Sequence, residues 1–178
     1  MSAEELAHKA HAYIKTKTHD DPIPFIAELV SRFPDHQKIG KYKILLAELQ
    51  FKAQNYAAAK ELYENFSEVF PADKHAEYAR YKTILSSFYQ TLPADCDQSY
   101  TEETVKLCTA YLANNALSKY RNDVKKMLAQ NQERLAEKEI SVFDFYLSKK
   151  QFDAARGRLA FVKEKFADVP GLEPRLTY

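Results

Sequence analysis

The sequence predicts an all-α fold, a solenoid of stacked helical hairpins with one long bridging helix. Three observations predict it. One helical pattern occurs three times. It runs Asn55-Tyr56-Ala57-Ala58-Ala59-Lys60-Glu61-Leu62-Tyr63-Glu64-Asn65-Phe66 through Phe70-Pro71, and again from Gln151-Phe152-Asp153-Ala154-Ala155 through Val162 and Phe166. Its second half recurs from Pro24-Phe25 through Leu29 to Phe33-Pro34. Phe33 and Phe70 stand 37 residues apart, within the range of helical-hairpin repeats. Finally, the 178 residues hold only three glycines, Gly40, Gly157 and Gly171. That leaves little material for the hairpin turns of β folds or the phosphate loops of α/β folds.

The period is close to the roughly 34 residues of tetratricopeptide (TPR) repeats. A single TPR-like solenoid domain over 1–178 follows, with repeats roughly at 3–34, 37–71, 73–113 and 118–167. The first helix, 3–16, places Leu6, Ala10, Tyr13 and Ile14 at helical spacing. Asp20-Asp21-Pro22 starts the second, which runs to Phe33 before Pro34 stops it. The third, about 37–53, carries Tyr42, Leu45, Leu46, Leu49 and Phe51. Its Leu46-Ala47 pair falls where a TPR puts a Leu and a small residue, so that two helices approach closely. The fourth, 55–69, ends at Pro71, with Ala59 and Tyr63 on the small and aromatic positions. The fifth, 73–91, bears Tyr78, Tyr81, Ile84, Leu85, Phe88 and Tyr89, and Pro93 ends it.

Residues 93–100 read as a loop. The sixth helix, 101–113, opens on Thr101-Glu102-Glu103, and Asn114-Asn115 break its pattern. No proline or glycine intervenes from Ser118 to Lys150, which allows one helix of about 33 residues and about 50 Å. Its ends are apolar, and Ala129-Gln130-Asn131-Gln132-Glu133-Arg134 between them is mostly polar. Such a helix packs at both ends and bridges two hairpins. The last helix, 151–167, precedes Pro170-Gly171 and Pro174. No capping helix is visible after it, so the expectation is that the last hairpin leaves an apolar face exposed or continues in a longer native chain.

Charge bounds the function. Lys and Arg number 26 against 25 Asp and Glu, for a net charge of +1. That balance argues against a broad basic nucleic-acid face. No stretch approaches the roughly 18 apolar residues of a membrane span, and the polar start Met1-Ser2-Ala3-Glu4-Glu5 is not a signal peptide as it stands, which leaves either a cytoplasmic protein or a mature domain without its leader. Catalytic motifs are absent: no Gly-x-Ser-x-Gly, no Walker loop, no His-Glu-x-x-His. The chain reads as a non-enzymatic binding scaffold with no cofactor. His8 and His11, spaced i, i+3, lack the further ligands that structural zinc needs, so no metal is expected. Cys96 and Cys108 read as two unrelated thiols, with a disulfide in an oxidising compartment as the alternative, and Asp95 and Asp97 disfavour a thiolate at Cys96.

The 12 tyrosines and 11 phenylalanines are mostly core, with Tyr63, Phe66, Phe70, Phe88 and Phe166 on inward stripes. Tyr42, Tyr78, Arg80 and Tyr81, with Lys43 and Lys82 nearby, are candidates to line a concave groove. Aromatics beside cations suit an extended, aromatic-rich peptide ending in a carboxylate.

The long helix carries a more specific pattern. Ser118-x-Tyr120-x-x-Asp123, Arg134-Leu135-Ala136-x-x-Glu139, Phe145-Tyr146-Leu147 and Gln151-Phe152-x-Ala154-Ala155-x-x-Arg158, with Val162, together resemble the C-terminal half of the BamD family. The likeness is tightest over 118–166. From 21 to 92 it amounts to TPR pattern plus His75-Ala76-Glu77-Tyr78-Ala79-Arg80-Tyr81. Phe143 stands where a small residue is usual, no proline precedes Ser118, and the family's lipid-bearing cysteine is absent. Members of that family are TPR lipoproteins of the bacterial outer-membrane β-barrel assembly (Bam) complex. The resemblance implies a scaffold on the periplasmic face of the outer membrane, anchored through an N-terminal lipid this chain lacks. Its implied partners are BamA-like periplasmic domains and unfolded outer-membrane protein precursors. Arg158 takes the place of an arginine in the BamA contact. The alternative is a cytoplasmic TPR adaptor that clamps a chaperone's C-terminal carboxylate. That clamp uses asparagines on the early repeats, and none occurs before Asn55.

Overall fold

The computed structural model describes residues 1–16, 21–167 and 169. The Ile14 side chain, His19, Asp20 and the Pro170-Gly171 and Pro174 stop signals lie outside the described residues. The described residues form helices α1 (Ala3–Thr16), α2 (Ile23–Arg32), α3 (Ile39–Lys52), α4 (Tyr56–Val69), α5 (Ala76–Phe88), α6 (Ser99–Asn114), α7 (Arg121–Ser148) and α8 (Phe152–Lys165), with no strand among them. The fold is all-α and TPR-like, as the repeat spacing predicts. The helices form two compact units, Met1–Ser86 and Ser87–Tyr178.

Backbone hydrogen bonds show what the repeat is made of. Helix α2 ends on Phe33, whose N–H bonds to the Leu29 carbonyl, and α4 ends on Phe70, whose N–H bonds to that of Phe66. Three residues on, His36 and Asp73 donate back to Phe33 and Phe70; three further on, Ile39 and Ala76 open the next helix. Asn115, Ser118 and Arg121 make the same turn after α6. The side chains of His36, Asp73 and Ser118 each accept the N–H two residues ahead, at 3.0, 2.8 and 3.0 Å, which satisfies a donor before the new helix. The Asn114-Asn115 break is therefore a further copy of the repeat junction, carried by an asparagine in place of Phe and without the following proline.

Within the hairpins α3–α4 and α7–α8 a second device repeats. Gln54 and Lys150 adopt φ of 61° and 59°. Gln54 and Asn55 donate to Phe51 and Gln50; Lys150 and Gln151 donate to Leu147 and Tyr146. This is the paired bonding of a Schellman turn, which glycine usually occupies. A side chain in that left-handed region costs about 1–2 kcal/mol. Gln54→Gly and Lys150→Gly are each expected to stabilise their hairpin by about 0.5–1 kcal/mol, read as a higher denaturant midpoint. A lower midpoint would mean that the long side chain contributes more than the backbone relief.

In unit 1, sequence neighbours pack in order: α1 on α2, α2 on α3, α3 on α4. One core cluster joins Leu6, Ala10, Ile26, Leu29, Tyr42 and Leu46; the next joins Ala47, Ala59, Tyr63, Phe66 and Ala79. Ala47 and Ala59 are fully buried, so the small positions do let α3 and α4 approach. In unit 2, α7 packs on both α6 and α8, the bridging arrangement its two apolar ends predict. Its polar middle faces solvent at Ala129, Gln130 and Glu133 but reaches the core at one residue. Asn131 continues the inward stripe of Val124 and Met127, is fully buried, and donates through Nδ2 to the Met127 carbonyl. The 93–100 loop is held by Gln98, whose buried amide bonds Pro93 and Cys96 carbonyls at 2.7 and 3.0 Å and accepts from Thr101 at 2.8 Å.

Both cysteines are free; Cys96 is exposed and Cys108 fully buried. Slight desolvation and the adjacent Asp95 carboxylate raise the Cys96 pKa, and burial pushes the Cys108 thiol up to about 12 from 9.0. A thiol reagent at pH 8 is expected to label Cys96 in the native protein and Cys108 only after unfolding. Cys108 stays protonated in the fold while the unfolded thiol ionises, so its contribution is complete below pH 9 and is lost between about pH 9 and 12. The slope approaches 1.4 kcal/mol per pH unit. The difference in stability between the native sequence and Cys108→Ala, followed from pH 7 to 10.5, should shrink over the upper half of that range. A difference independent of pH would contradict it.

Candidate functional site

The α7–α8 hairpin carries the first candidate surface. The inward stripe of α7 includes Ala136, Ile140 and Phe143; that of α8 includes Ala155 and Val162, with buried Phe166 just past its end. Residues three past Ala136 and Ala155 fall on the rims of these stripes, and they are Glu139 and Arg158. Arg158 Nη1 donates to Glu139 Oε2 at 2.6 Å. The pair is partly shielded, with side chains 34% and 21% exposed. The Arg158 guanidinium carbon also lies 5.8 Å from the Phe161 ring centre, within cation–π range.

Beside the pair is a cavity of about 350 Å³ lined by Tyr146, Ala154, Gly157, Arg158 and Phe161. Gly157 adds to the room there, since a Cβ at that position would meet nothing within 4 Å. Phe145, Phe152 and Phe161 are exposed by 55%, 59% and 37%, in line with the apolar face expected of the last hairpin. Lys149 and Lys165 approach the Phe145 and Phe161 rings at 5.8 and 5.1 Å. The surface thus combines large exposed apolar rings with cations.

Most of the other residues of the long-helix pattern have structural work. Ser118 forms the junction turn and bonds Tyr111 Oη at 2.7 Å. Arg134 donates to Thr91 Oγ1. Ala136, Ala155 and Val162 are core, and Phe143, 5% exposed, is accommodated there too.

Unit 1 distributes the groove candidates differently from the sequence reading. Tyr42 is 1% exposed, a core residue between the rings of His11 and His36 at 6.0 and 5.6 Å. It falls one turn before Leu46 on the buried stripe of α3, and burial raises its pKa. Lys82 is no groove cation either. It is 7% exposed, with Nζ 3.2 Å from the Phe51 ring centre and 5.7 and 5.9 Å from those of Tyr63 and Tyr78. Burial lowers its pKa, opposed by Glu48. Burial, and then the Glu48 charge, raises that of Tyr63. Tyr78 is half-buried and donates to Glu48 Oε1. Tyr81 and Arg80 are half-buried, and Arg80 Nε is buried without an acceptor among the described residues.

An opening of unit 1 lies elsewhere. A cavity of about 630 Å³ has apolar walls from Ile44, Leu45 and Phe66, with Lys41, Lys74 and His75 on its lining. Asp73 accepts from the His75 backbone at 2.8 Å and lies 2.9 Å from its Nδ1, and the backbone bond foremost holds the Asp73 pKa down. Sequence reasoning missed these cations. No local signal marked them: Lys41 and the Lys74-His75 pair come together only in the fold, and a Cβ at Gly40 would make ordinary contact with Phe66 at 3.7 Å.

Among the described residues no group of three or more His, Cys, Asp or Glu is placed to hold a metal, and no helix is long and apolar enough to cross a membrane. No curated protein matches the chain. A family model described as YfiO, outer membrane lipoprotein, matches residues 1–178. An all-helical hairpin fold and a match over the full sequence agree: this chain belongs to the YfiO family of outer membrane lipoproteins.

Proposed function

We propose that this chain is a non-enzymatic scaffold subunit of the bacterial outer-membrane β-barrel assembly complex, a BamD-like protein at the periplasmic face of the outer membrane. The α7–α8 surface docks a BamA-like periplasmic domain through Arg158 and the exposed rings around it. Unit 1 receives outer-membrane protein precursors as extended peptides. The apolar cavity with Lys41, Lys74 and His75 takes an aromatic side chain and a terminal carboxylate, and Tyr78, Arg80 and Tyr81 contact the rest of the peptide. The observation that carries this reading is Arg158 on the wall of an open cavity among exposed aromatics. Rings and a cation left this accessible fit a protein partner. The test is a titration of the full chain with a purified BamA-like periplasmic domain. Saturable binding that weakens with added salt is the expected result; its absence at the highest attainable concentrations would overturn the docking assignment.

A further inference from the structure

We propose that Glu139 is a positioning residue for Arg158: it anchors the guanidinium across the α7–α8 seam so that the docking surface is already organised before a partner arrives. The inference rests on the docking reading above. Its basis is the single Nη1 to Oε2 bond of 2.6 Å between two rim residues on different helices. A guanidinium has five N–H donors in a rigid fork. Among the described residues the Glu139 bond is the one hydrogen bond Arg158 makes, so donors remain for a second carboxylate.

One further contact limits where the group can go. The Phe161 ring lies 5.8 Å from the guanidinium carbon, and Arg158 lines the α7–α8 cavity with Phe161, Tyr146 and Gly157. An arginine held in this way surrenders little rotamer freedom on binding. Without Glu139 that ordering falls on the binding step, a penalty equivalent to roughly two- to tenfold in affinity. The acidic group also sits where an acidic partner would approach. If it acted by simple repulsion, its removal would strengthen binding instead. The two roles therefore predict opposite signs.

The experiment is a double-mutant cycle on the full chain, titrated with the same BamA-like domain. Glu139→Ala is expected to weaken binding roughly two- to tenfold. Glu139→Gln, which keeps the shape and an acceptor oxygen, should recover most of that loss. In an Arg158→Ala background, Glu139→Ala should have no additional effect, because Glu139 acts through Arg158. Unchanged or tighter binding of Glu139→Ala, or an additive loss in the double variant, overturns the positioning role. No loss with Arg158→Ala overturns the docking reading and this role with it. A loss at Arg158→Ala with none at Glu139→Ala overturns the positioning role alone.

Discussion

Replacing Phe66 with alanine is expected to destabilise unit 1 by about 3–5 kcal/mol. Phe66 is 1% exposed and packs with Ala47, Ala59, Tyr63 and Ala79, its ring 5.3 Å from that of Phe70. Three of those neighbours are alanines, which cannot swing into the vacated space. The void therefore persists, and the loss lies toward the upper end of the range. Since domains of this size are stable by about 5–15 kcal/mol, the variant should sit close to its unfolding threshold. Denaturant unfolding followed by helical circular dichroism checks it. Phe145→Ala, at a ring 55% exposed, is the control and should move stability by no more than about 0.5 kcal/mol. Equal effects at the two positions would contradict the assignment of Phe66 to the core between α3 and α4.

Arg158→Glu is expected to abolish most docking. Disrupting a desolvated charge pair at an interface costs about 2–5 kcal/mol, so affinity for a BamA-like periplasmic domain should fall about thirtyfold or more. The reversal also sets a second carboxylate against Glu139, where the arginine now bonds at 2.6 Å, and so repels an acidic partner from two positions. The helical content should not change. The seam between α7 and α8 is formed by Ala136, Ile140, Val162 and Phe166, none of which the substitution touches. Undiminished affinity in the titration would remove Arg158 from the docking surface.

Helix positions were legible because their signals are local. Pro34 and Pro71 sit just beyond the ends of α2 and α4, and the Leu46-Ala47, Ala59 and Tyr63 positions are buried as the repeat requires. The long helix bridges α6 and α8 as its two apolar ends implied. What misled was polarity read residue by residue. Lys82 beside Tyr81 suggested a groove cation, yet it is buried, and so is Asn131 within its polar run. A polar side chain can be buried when a neighbour supplies the compensating contact. Here those neighbours are the Met127 carbonyl, which takes the Asn131 amide N–H, and the Phe51 ring; Asn131 Oδ1 has no partner among the described residues.

The sequence by itself determined the all-α hairpin repeat and the small-residue contacts within it. Each follows from helical periodicity and from proline and alanine placement, which act within one or two turns. Tertiary structure alone decided that Tyr42 is core, that Asn115 closes a repeat as Phe33 and Phe70 do, and that Glu139 meets Arg158 across two helices. Those outcomes depend on which helix comes to lie against a given face. That choice is made by burial of apolar surface over whole helices, and spacing along one chain segment does not contain it.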